Sequence, residues 1–295
     1  MYYKGDPLTR AASKLKREAL RLPGIRILHG YAHREALEAH STRLPPLDPK
    51  DLTTFEVLRR VGVHIEPVES LGLAETAPML SALETLVAEM RALQPNGDNA
   101  PRLPLKRLMQ FPEVYLWGVN ERLLNLVENY IGLPIRYHGV DLRREVADGK
   151  PNDVRQWHID AEDHRMFKVI LYLNDVEEGG GPFEYVPREQ TLQAAKALHY
   201  GSGFVADDAL ARVLPRVEWK QAIAKAFSAV FADTCRVFHR AQAPTKRDRY
   251  SITYSWTSTT PVKAYPSMPI PPETYRFVSG RINERQRAVI PPNGA

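Results

Sequence analysis

The spacing of apolar residues changes near residue 135, and this change limits the folds that the chain can adopt. Before it, apolar residues recur every three or four positions, as in Leu71 to Leu93, which predicts helices. A further helix is predicted at 118–131. After residue 135, short runs of β-branched and aromatic residues are bounded by Gly, Pro, Asn and Asp, which predicts strands. We therefore expect a helical scaffold at 1–134 that leads into a sheet-rich part.

The predicted strands do not alternate regularly with helices. They cover 135–143, 154–160, 167–174, 182–186, 228–232, 235–239 and 249–257, and a helical insertion is predicted at 188–227. Short strands without βα alternation favour an antiparallel barrel or jelly roll over a parallel sheet. The expected fold class is mainly β with helical additions (α+β). We expect one domain over 1–295, with its core at 135–258 and a Pro-rich C-terminal tail at 259–295 that wraps over the body or frays.

The composition excludes several classes of protein. With 43% hydrophobic and 25% charged residues, the 295-residue chain is typical of a folded protein with a sizeable core. No run approaches the roughly 18 apolar residues of a membrane span, and the start lacks the apolar stretch of a signal peptide, so we expect no membrane association and a cytoplasmic location.

The net charge limits the partners that we expect, and the cysteine content limits the ligands available for a metal. The net charge is +5, and no nucleic-acid motif accompanies the basic residues near the start, so no nucleic-acid partner is expected. The oligomeric state is expected to be a monomer or a homodimer. With one cysteine, Cys235, a metal bound by this chain has to use nitrogen and oxygen ligands.

Two potential metal ligands lie on one face of the predicted strand 154–160. Alternate residues of a strand point to the same side, so His158 and Asp160 can reach a common ion. A second imidazole is available from His239, at the end of the strand-like run CRVFH. Two imidazoles and one carboxylate on one face of an octahedral ion leave the other positions open, as oxygen chemistry requires. A lone His-x-Asp is nevertheless a weak signal, because an exposed strand histidine is usually a surface residue.

The run RYSITYSW, which follows His239, strengthens the metal hypothesis. Arg249 and Ser251 lie on one face of this predicted strand. If that face is exposed to solvent, Arg249 is an ordinary surface arginine. If it faces the interior, the buried guanidinium needs an anion, because an unpaired buried charge costs several kcal/mol. A dicarboxylate co-substrate would supply that anion, and Ser251 could add a hydrogen bond to the same carboxylate.

The segments QWHID, FKVILYLNDVEEGGGPFEYVP, VFADTCRVFHR and RYS, in this order and spacing, resemble the phytanoyl-CoA dioxygenase-like family of iron and 2-oxoglutarate oxygenases. The resemblance covers roughly residues 136–258. It implies a double-stranded β-helix, the cupin-like jelly roll, with Fe(II) held by His158, Asp160 and His239. It also implies that Arg249, assisted by Ser251, binds the far carboxylate of 2-oxoglutarate. Tyr172 is similar in position to aromatic residues that flank the co-substrate in this family.

The resemblance implies an oxidoreductase that uses Fe(II), 2-oxoglutarate and O2 on a small-molecule substrate. In such a dioxygenase, conversion of 2-oxoglutarate to succinate and CO2 accompanies hydroxylation of an unactivated C–H bond. Asp160 stands where related halogenating enzymes have a small residue, which favours hydroxylation or another oxygenase outcome. The same chemistry can also support desaturation, ring formation or epimerisation, and the sequence does not specify the substrate.

Two alternatives remain open at this stage. One is a cupin-like metal-dependent hydrolase or isomerase that does not use 2-oxoglutarate. Such an enzyme has no need for a guanidinium at the position of Arg249, which distinguishes the two chemistries. The other alternative is a binding protein that has lost turnover, and the presence of all three expected metal ligands argues against it.

Overall fold

The computed structural model describes residues 22–95, 97–263, 267–268, 270 and 272–290. Its first part is mainly helical and is followed by a part in which strands and helices are mixed. The helices are α1 (Pro23–Ser41), α2 (Leu52–Val61), α3 (Thr76–Ala92), α4 (Leu105–Leu108), α5 (Pro112–Leu116), α6 (Glu121–Ile131), α7 (Arg188–Ala197), α8 (Asp207–Val213), α9 (Pro272–Ser279) and α10 (Glu284–Val289). The strands are β1 (Val63–Pro67), β2 (Ile135–Glu145), β3 (Phe167–Tyr172), β4 (Phe183–Tyr185), β5 (Lys220–Ala222), β6 (Ser228–Asp233), β7 (His239–Ala241) and β8 (Arg249–Ser258).

These strands form two antiparallel sheets. The larger sheet has five strands in the order β1-β6-β3-β8-β2, and the smaller has three in the order β5-β4-β7. Every neighbouring pair of strands runs antiparallel. The fold is therefore a mixture of helices and antiparallel sheets.

The five-stranded sheet has two chemically different faces. On its outer face, alternate residues such as Val169, Leu171 and Ile252 pack with the helices into the largest hydrophobic cluster. The inner face, defined by Lys168, Ile170 and Tyr172 of β3, turns towards the three-stranded sheet, and it carries polar and charged side chains beside a smaller apolar cluster. Since successive side chains of a strand point to opposite sides, one strand supplies both environments.

Local sequence explains where the helix before β2 begins and ends. The side chain of Asn120 accepts hydrogen bonds from the backbone N–H groups of Arg122 and Leu123, which caps the first turn of α6. Gly132 ends the helix in the left-handed conformation, with φ of 81°. A side chain is disfavoured in that conformation, so glycine is the natural residue there. The helix predicted at 118–131 is thus present as Glu121–Ile131.

Two of the predicted strands around the candidate ligands are wrong in detail. The predicted strand 154–160 is replaced by a 3-10 turn at Asp153–Arg155 and isolated bridges at Trp157 and His158. The predicted strand 235–239 is a turn, and β7 begins only at His239. Local hydrogen bonds close both turns, from the N–H of Gln156 to the carbonyl of Asp153 and from the N–H of Arg236 to the carbonyl of Asp233. His158 and His239 then pair with each other across a long stretch of sequence, which local propensity does not encode.

Two short strands were not predicted. β1 lies inside the part that was predicted to be helical, and it forms the edge of the five-stranded sheet by pairing with β6. β5 lies inside the insertion at 188–227, which was predicted to be helical and contains α7 and α8. Only three residues of β5 pair with β4, so its strand character comes from the partner rather than from its own sequence.

The C-terminal segment packs on the body where the structure describes it. The backbone N–H of Met268 donates to the carbonyl of His138, and Val278, Val289 and Ile290 join the main hydrophobic cluster. Residues 264–266, 269, 271 and 291–295 of the predicted tail, and 1–21 of the predicted scaffold, lie outside the described residues. In the part of the chain that is described, no helix has both the length and the apolar character needed to cross a membrane.

Candidate metal centre

Three side chains that can bind a metal converge next to the inner face of the five-stranded sheet. One ligand atom from each of His158, Asp160 and His239 lies within 4.8 Å of the other two. The Oδ1 atom of Asp160 is 3.6 Å from Nε2 of His158 and 3.9 Å from Nε2 of His239. Residues that were expected from the sequence to share an ion therefore lie close together.

Both imidazoles are oriented by the backbone. Nδ1 of His158 lies 2.8 Å from the carbonyl oxygen of Gln156, and Nδ1 of His239 lies 3.1 Å from that of Val237. A carbonyl can only accept, so each Nδ1 carries the proton and each Nε2 presents a lone pair. Burial lowers the pKa of His239 to about 3, which keeps this imidazole neutral. Neutral imidazoles with a free Nε2 are what a divalent ion requires.

Backbone hydrogen bonds join the segments that carry the three residues. His158 and His239 exchange both of their backbone hydrogen bonds, at 3.0 and 2.9 Å. The N–H of Asp160 donates to the carbonyl of Thr234 at 2.9 Å, so the carboxylate is tied to the same neighbouring segment. These bonds hold the candidate ligands together although His158 and Asp160 do not lie in a regular strand.

Lys168 is a charged neighbour that was not predicted as part of the site. Its Nζ lies 2.6 Å from Oδ2 of Asp160, and each side chain is only 14% exposed. Burial acts to raise the pKa of Asp160, but Lys168 opposes it most strongly and the pKa falls below its usual range. A sequence signal existed, since Lys168 is the one charged residue in the run FKVILY.

Aromatic side chains border the two imidazoles. The ring of Phe183 stacks on His239, with centroids 5.5 Å apart, and the edge-on ring of Phe204 lies 5.4 Å from His158. Phe204 is 51% exposed and comes from the insertion, which is bonded to the segment around His158 through the N–H of Val205 and the carbonyl of Trp157. The insertion therefore forms one border of the candidate metal centre.

Arg249 lies on the inner face and is 4% exposed. The alternative in which it is an ordinary surface arginine is therefore wrong. Its Nη1 donates to the carbonyl of Gly181, whereas Nε is buried without a hydrogen-bond partner among the described residues. Burial lowers the pKa of Arg249, and Glu145 opposes that shift. An arginine remains protonated even so, which leaves a buried guanidinium that can accept an anion.

Glu145 does not satisfy this guanidinium fully. It bonds Arg155 through Oε2 at 2.9 to 3.0 Å, and it lies 3.4 Å from Nη1 of Arg143. Arg249 is the most distant of its three cationic neighbours, at 4.0 Å. Arg143 and Arg155 also pair with Asp141 and Asp148. Arg249 has no carboxylate closer than Glu145 among the described residues, so its environment favours a further anion.

The two other residues expected to contact the co-substrate lie close to Arg249 in the sheet. Ser251 is two positions along β8 on the same face, and it is paired in register with Tyr172 of β3. The Tyr172 hydroxyl donates to the carbonyl of Ala222 at 3.0 Å and accepts from the N–H of Phe183 at 2.9 Å. Because Phe183 stacks on His239, these contacts connect the surroundings of Arg249 with the candidate metal ligands.

No model of a known protein family matches the sequence, and no curated protein matches it. The chain does match solved structures, at low sequence identity. HygX from Streptomyces hygroscopicus, crystallised with nickel and 2-oxoglutarate, is 15% identical, with 72% of this chain and 88% of that chain covered and a TM-score of 0.47.

Two further solved structures show a comparable degree of likeness. The α-ketoglutarate-dependent carbocyclase SnoK from nogalamycin biosynthesis is 16% identical, with 78% of this chain and 98% of that chain covered and a TM-score of 0.49. EctD from S. alaskensis, crystallised with 2-oxoglutarate and 5-hydroxyectoine, is 16% identical, with coverages of 70% and 75% and a TM-score of 0.48. The function of this chain has to be inferred from its own side chains.

Proposed function

We propose that the chain is an Fe(II)- and 2-oxoglutarate-dependent dioxygenase of the phytanoyl-CoA dioxygenase-like type that hydroxylates a small molecule. The observation that carries the proposal is the combination of two Nε2 atoms and one carboxylate oxygen around one point with a buried, incompletely paired guanidinium on the adjoining inner face. The two sheets would form the halves of a double-stranded β-helix. Such a site could hold a metal ion and, at the guanidinium, a carboxylate of a co-substrate.

The metal would be held by His158, Asp160 and His239. Nitrogen and oxygen donors of this kind, two imidazoles and one carboxylate, suit ferrous iron and leave positions open for other ligands. When bound, the iron supplies the redox chemistry that couples decarboxylation of 2-oxoglutarate, with O2, to oxidation of a C–H bond. The chain contributes the fixed tautomers of both histidines and the fixed orientation of the carboxylate.

2-Oxoglutarate would be bound at its far carboxylate by Arg249. The guanidinium offers Nε, which has no acceptor among the described residues, and Ser251 offers a hydroxyl on the same face. A planar guanidinium binds a carboxylate through two parallel hydrogen bonds, which fixes the direction of the co-substrate. Tyr172 would form a wall of this subsite, because its ring is fully buried on the same inner face.

The substrate would approach from the side bordered by Phe204. This aromatic ring is half exposed beside His158 and can contact an apolar part of a small molecule. The C–H bond to be oxidised would thereby be held near the metal, while the insertion shields the site from water. The cytoplasmic location and the monomeric or homodimeric state stay predictions.

Succinate release tests this function without knowledge of the substrate. Protein freed of metal by chelation should produce succinate from 2-oxoglutarate only after Fe(II) is restored, and zinc should not replace iron. A cupin-like metal-dependent hydrolase or isomerase that does not use 2-oxoglutarate would release no succinate with either metal. Failure of the iron-loaded chain to bind 2-oxoglutarate or to release succinate would contradict the proposal.

A further inference from the structure

The position of Lys168 in the sheet lets its side chain reach Asp160. Lys168 is paired in register with Ala232 of β6 and Ser255 of β8, both of which have small side chains. The long lysine side chain can therefore lie across the inner face and bring its ammonium group to Oδ2 of Asp160, at 2.6 Å. The contact depends on neighbours that leave room for it.

Protein stability alone does not account for a lysine at this position. Its side chain is 14% exposed, and Ile170 shows that the inner face accepts an apolar residue two positions away. A mostly buried ion pair is often no more stabilising than apolar residues of similar volume, because both charges lose hydration. The ammonium group instead acts on the one carboxylate among the candidate metal ligands.

The two oxygen atoms of Asp160 have different partners. Oδ2 accepts from Lys168, whereas Oδ1 faces the Nε2 atoms of His158 and His239 at 3.6 and 3.9 Å. An ammonium group bonded to the second oxygen competes with a metal for that oxygen, so the first oxygen is the preferred metal donor. A carboxylate with both oxygens available could occupy an additional position on the ion, one that 2-oxoglutarate or dioxygen needs.

We propose that Lys168 is a positioning residue that restricts Asp160 to one metal-binding oxygen and so keeps a coordination position open for the co-substrate. This inference rests on the proposed function. Loss of the lysine removes a positive charge next to the metal and frees Oδ2, so both effects strengthen metal binding. The same loss weakens 2-oxoglutarate binding, since the freed oxygen competes for the position. If the residue only supported the fold, its loss would weaken the binding of both the metal and 2-oxoglutarate.

Cobalt(II) is a suitable probe, because its visible absorption reports on the number and type of its ligands. The variants are Lys168→Met, which removes the charge, and Lys168→Arg, which keeps it. The matched control is Lys263→Met, because Lys263 pairs with Glu162 in the loop after Asp160, at 3.4 Å, and does not pair with a candidate ligand. Circular dichroism establishes that each variant is folded, and Lys168→Gln replaces the methionine variant if that one is not.

We expect Lys168→Met to bind cobalt about tenfold more tightly and to bind 2-oxoglutarate about tenfold more weakly once cobalt is loaded. The size is that seen for residues that contact a metal ligand, but metal affinity rises instead of falling because the group that is lost is a cation. Its cobalt spectrum should differ from that of the unmodified chain, and the spectra of Lys168→Arg and Lys263→Met should not. Weaker binding of both ligands, or an unchanged spectrum, would overturn the inference alone. An unmodified chain that binds cobalt but no 2-oxoglutarate would overturn the proposed function and this inference with it.

Discussion

The outer and inner faces of the five-stranded sheet come from the same strands, but the outer face packs against the helices and the inner face carries charges near the candidate site. Leu171 and Ile252 are fully buried against the helices on the outer face, whereas Lys168 and Arg249 on the inner face hold charges close to the candidate site. Because the side-chain period of a strand is two, neighbouring positions can be substituted with separate consequences. Outer-face changes should alter stability, and inner-face changes should alter binding.

The largest expected effect comes from a carboxylate beside the inner face. Asp160→Ala should abolish iron-dependent succinate release, because one of the three proposed ligands is lost. The thermal midpoint should also fall, because Lys168 loses the carboxylate partner of a mostly buried pair, so circular dichroism has to establish that the variant is folded. The matched control is Asp175→Ala, since Asp175 forms an exposed pair with Lys225 away from the site. Substantial succinate release by Asp160→Ala would show that the carboxylate is not a ligand.

The next largest effect is on 2-oxoglutarate affinity, and it should differ between two inner-face residues, Arg249 and Ser251. Arg249→Met should weaken 2-oxoglutarate binding by about 2 to 5 kcal/mol, the range for truncating one member of a buried charge pair. Ser251→Ala should weaken it by about 1 kcal/mol, the value of one hydrogen bond. Isothermal titration of the metal-loaded variants measures both. Equal affinities for the arginine variant and the unmodified chain would remove the role proposed for Arg249.

A substitution on the outer face should lower stability and leave 2-oxoglutarate affinity unchanged. Ile252→Ala, one position from Ser251, removes a fully buried side chain and should lower the free energy of unfolding by about 2 to 5 kcal/mol. Denaturant titration measures this loss. The folded fraction should bind 2-oxoglutarate with unchanged affinity. A large change in affinity would mean that the two faces do not act separately.

The smallest expected effect is on the pH dependence of stability, and it comes from a histidine pair that lies on neither face of the sheet. His164 follows the candidate ligand Asp160 by four residues and stacks on His33 of α1, with ring centroids 3.7 Å apart. Burial, together with His33 and His29, lowers the pKa of His164 to about 4. The unfolded chain takes up this proton below about pH 6.5, so the stability contributed by the neutral ring is full above that pH and is lost as the pH falls towards 4.

The His164→Phe variant tests this contribution, since phenylalanine keeps the stacked ring without a titrating nitrogen. The free energy of unfolding should fall less steeply between pH 6.5 and 4 in the variant than in the unmodified chain. Denaturant titrations at several pH values, on metal-free protein, give the two slopes. Identical slopes would show that His164 does not contribute to the acid sensitivity.

Much of the candidate site could be predicted from the sequence because its residues carry distinctive chemistry. His158 and Asp160 are close in the chain, and Arg249 stands in an alternating run that predicts a strand. The backbone around His158 could not be predicted, because its bridges to His239 and Val205 join segments far apart in sequence. Lys168 was visible as a charge in an apolar strand, but its contact with Asp160 depends on the assembled fold.

The same distinction applies to the fold. The helix Glu121–Ile131 carries its own start and stop signals in Asn120 and Gly132, so its existence followed from local sequence. β5 has three residues and becomes a strand only beside β4. The switch of apolar period near residue 135 was informative because many residues contributed to it.

The most direct test of the central claim is a crystal structure of the chain grown without oxygen in the presence of Fe(II) and 2-oxoglutarate, with diffraction recorded on both sides of the iron absorption edge. We predict one iron peak between Nε2 of His158, Nε2 of His239 and Oδ1 of Asp160, with 2-oxoglutarate extending from it to Arg249. An iron peak elsewhere, or 2-oxoglutarate bound away from Arg249, would contradict the account.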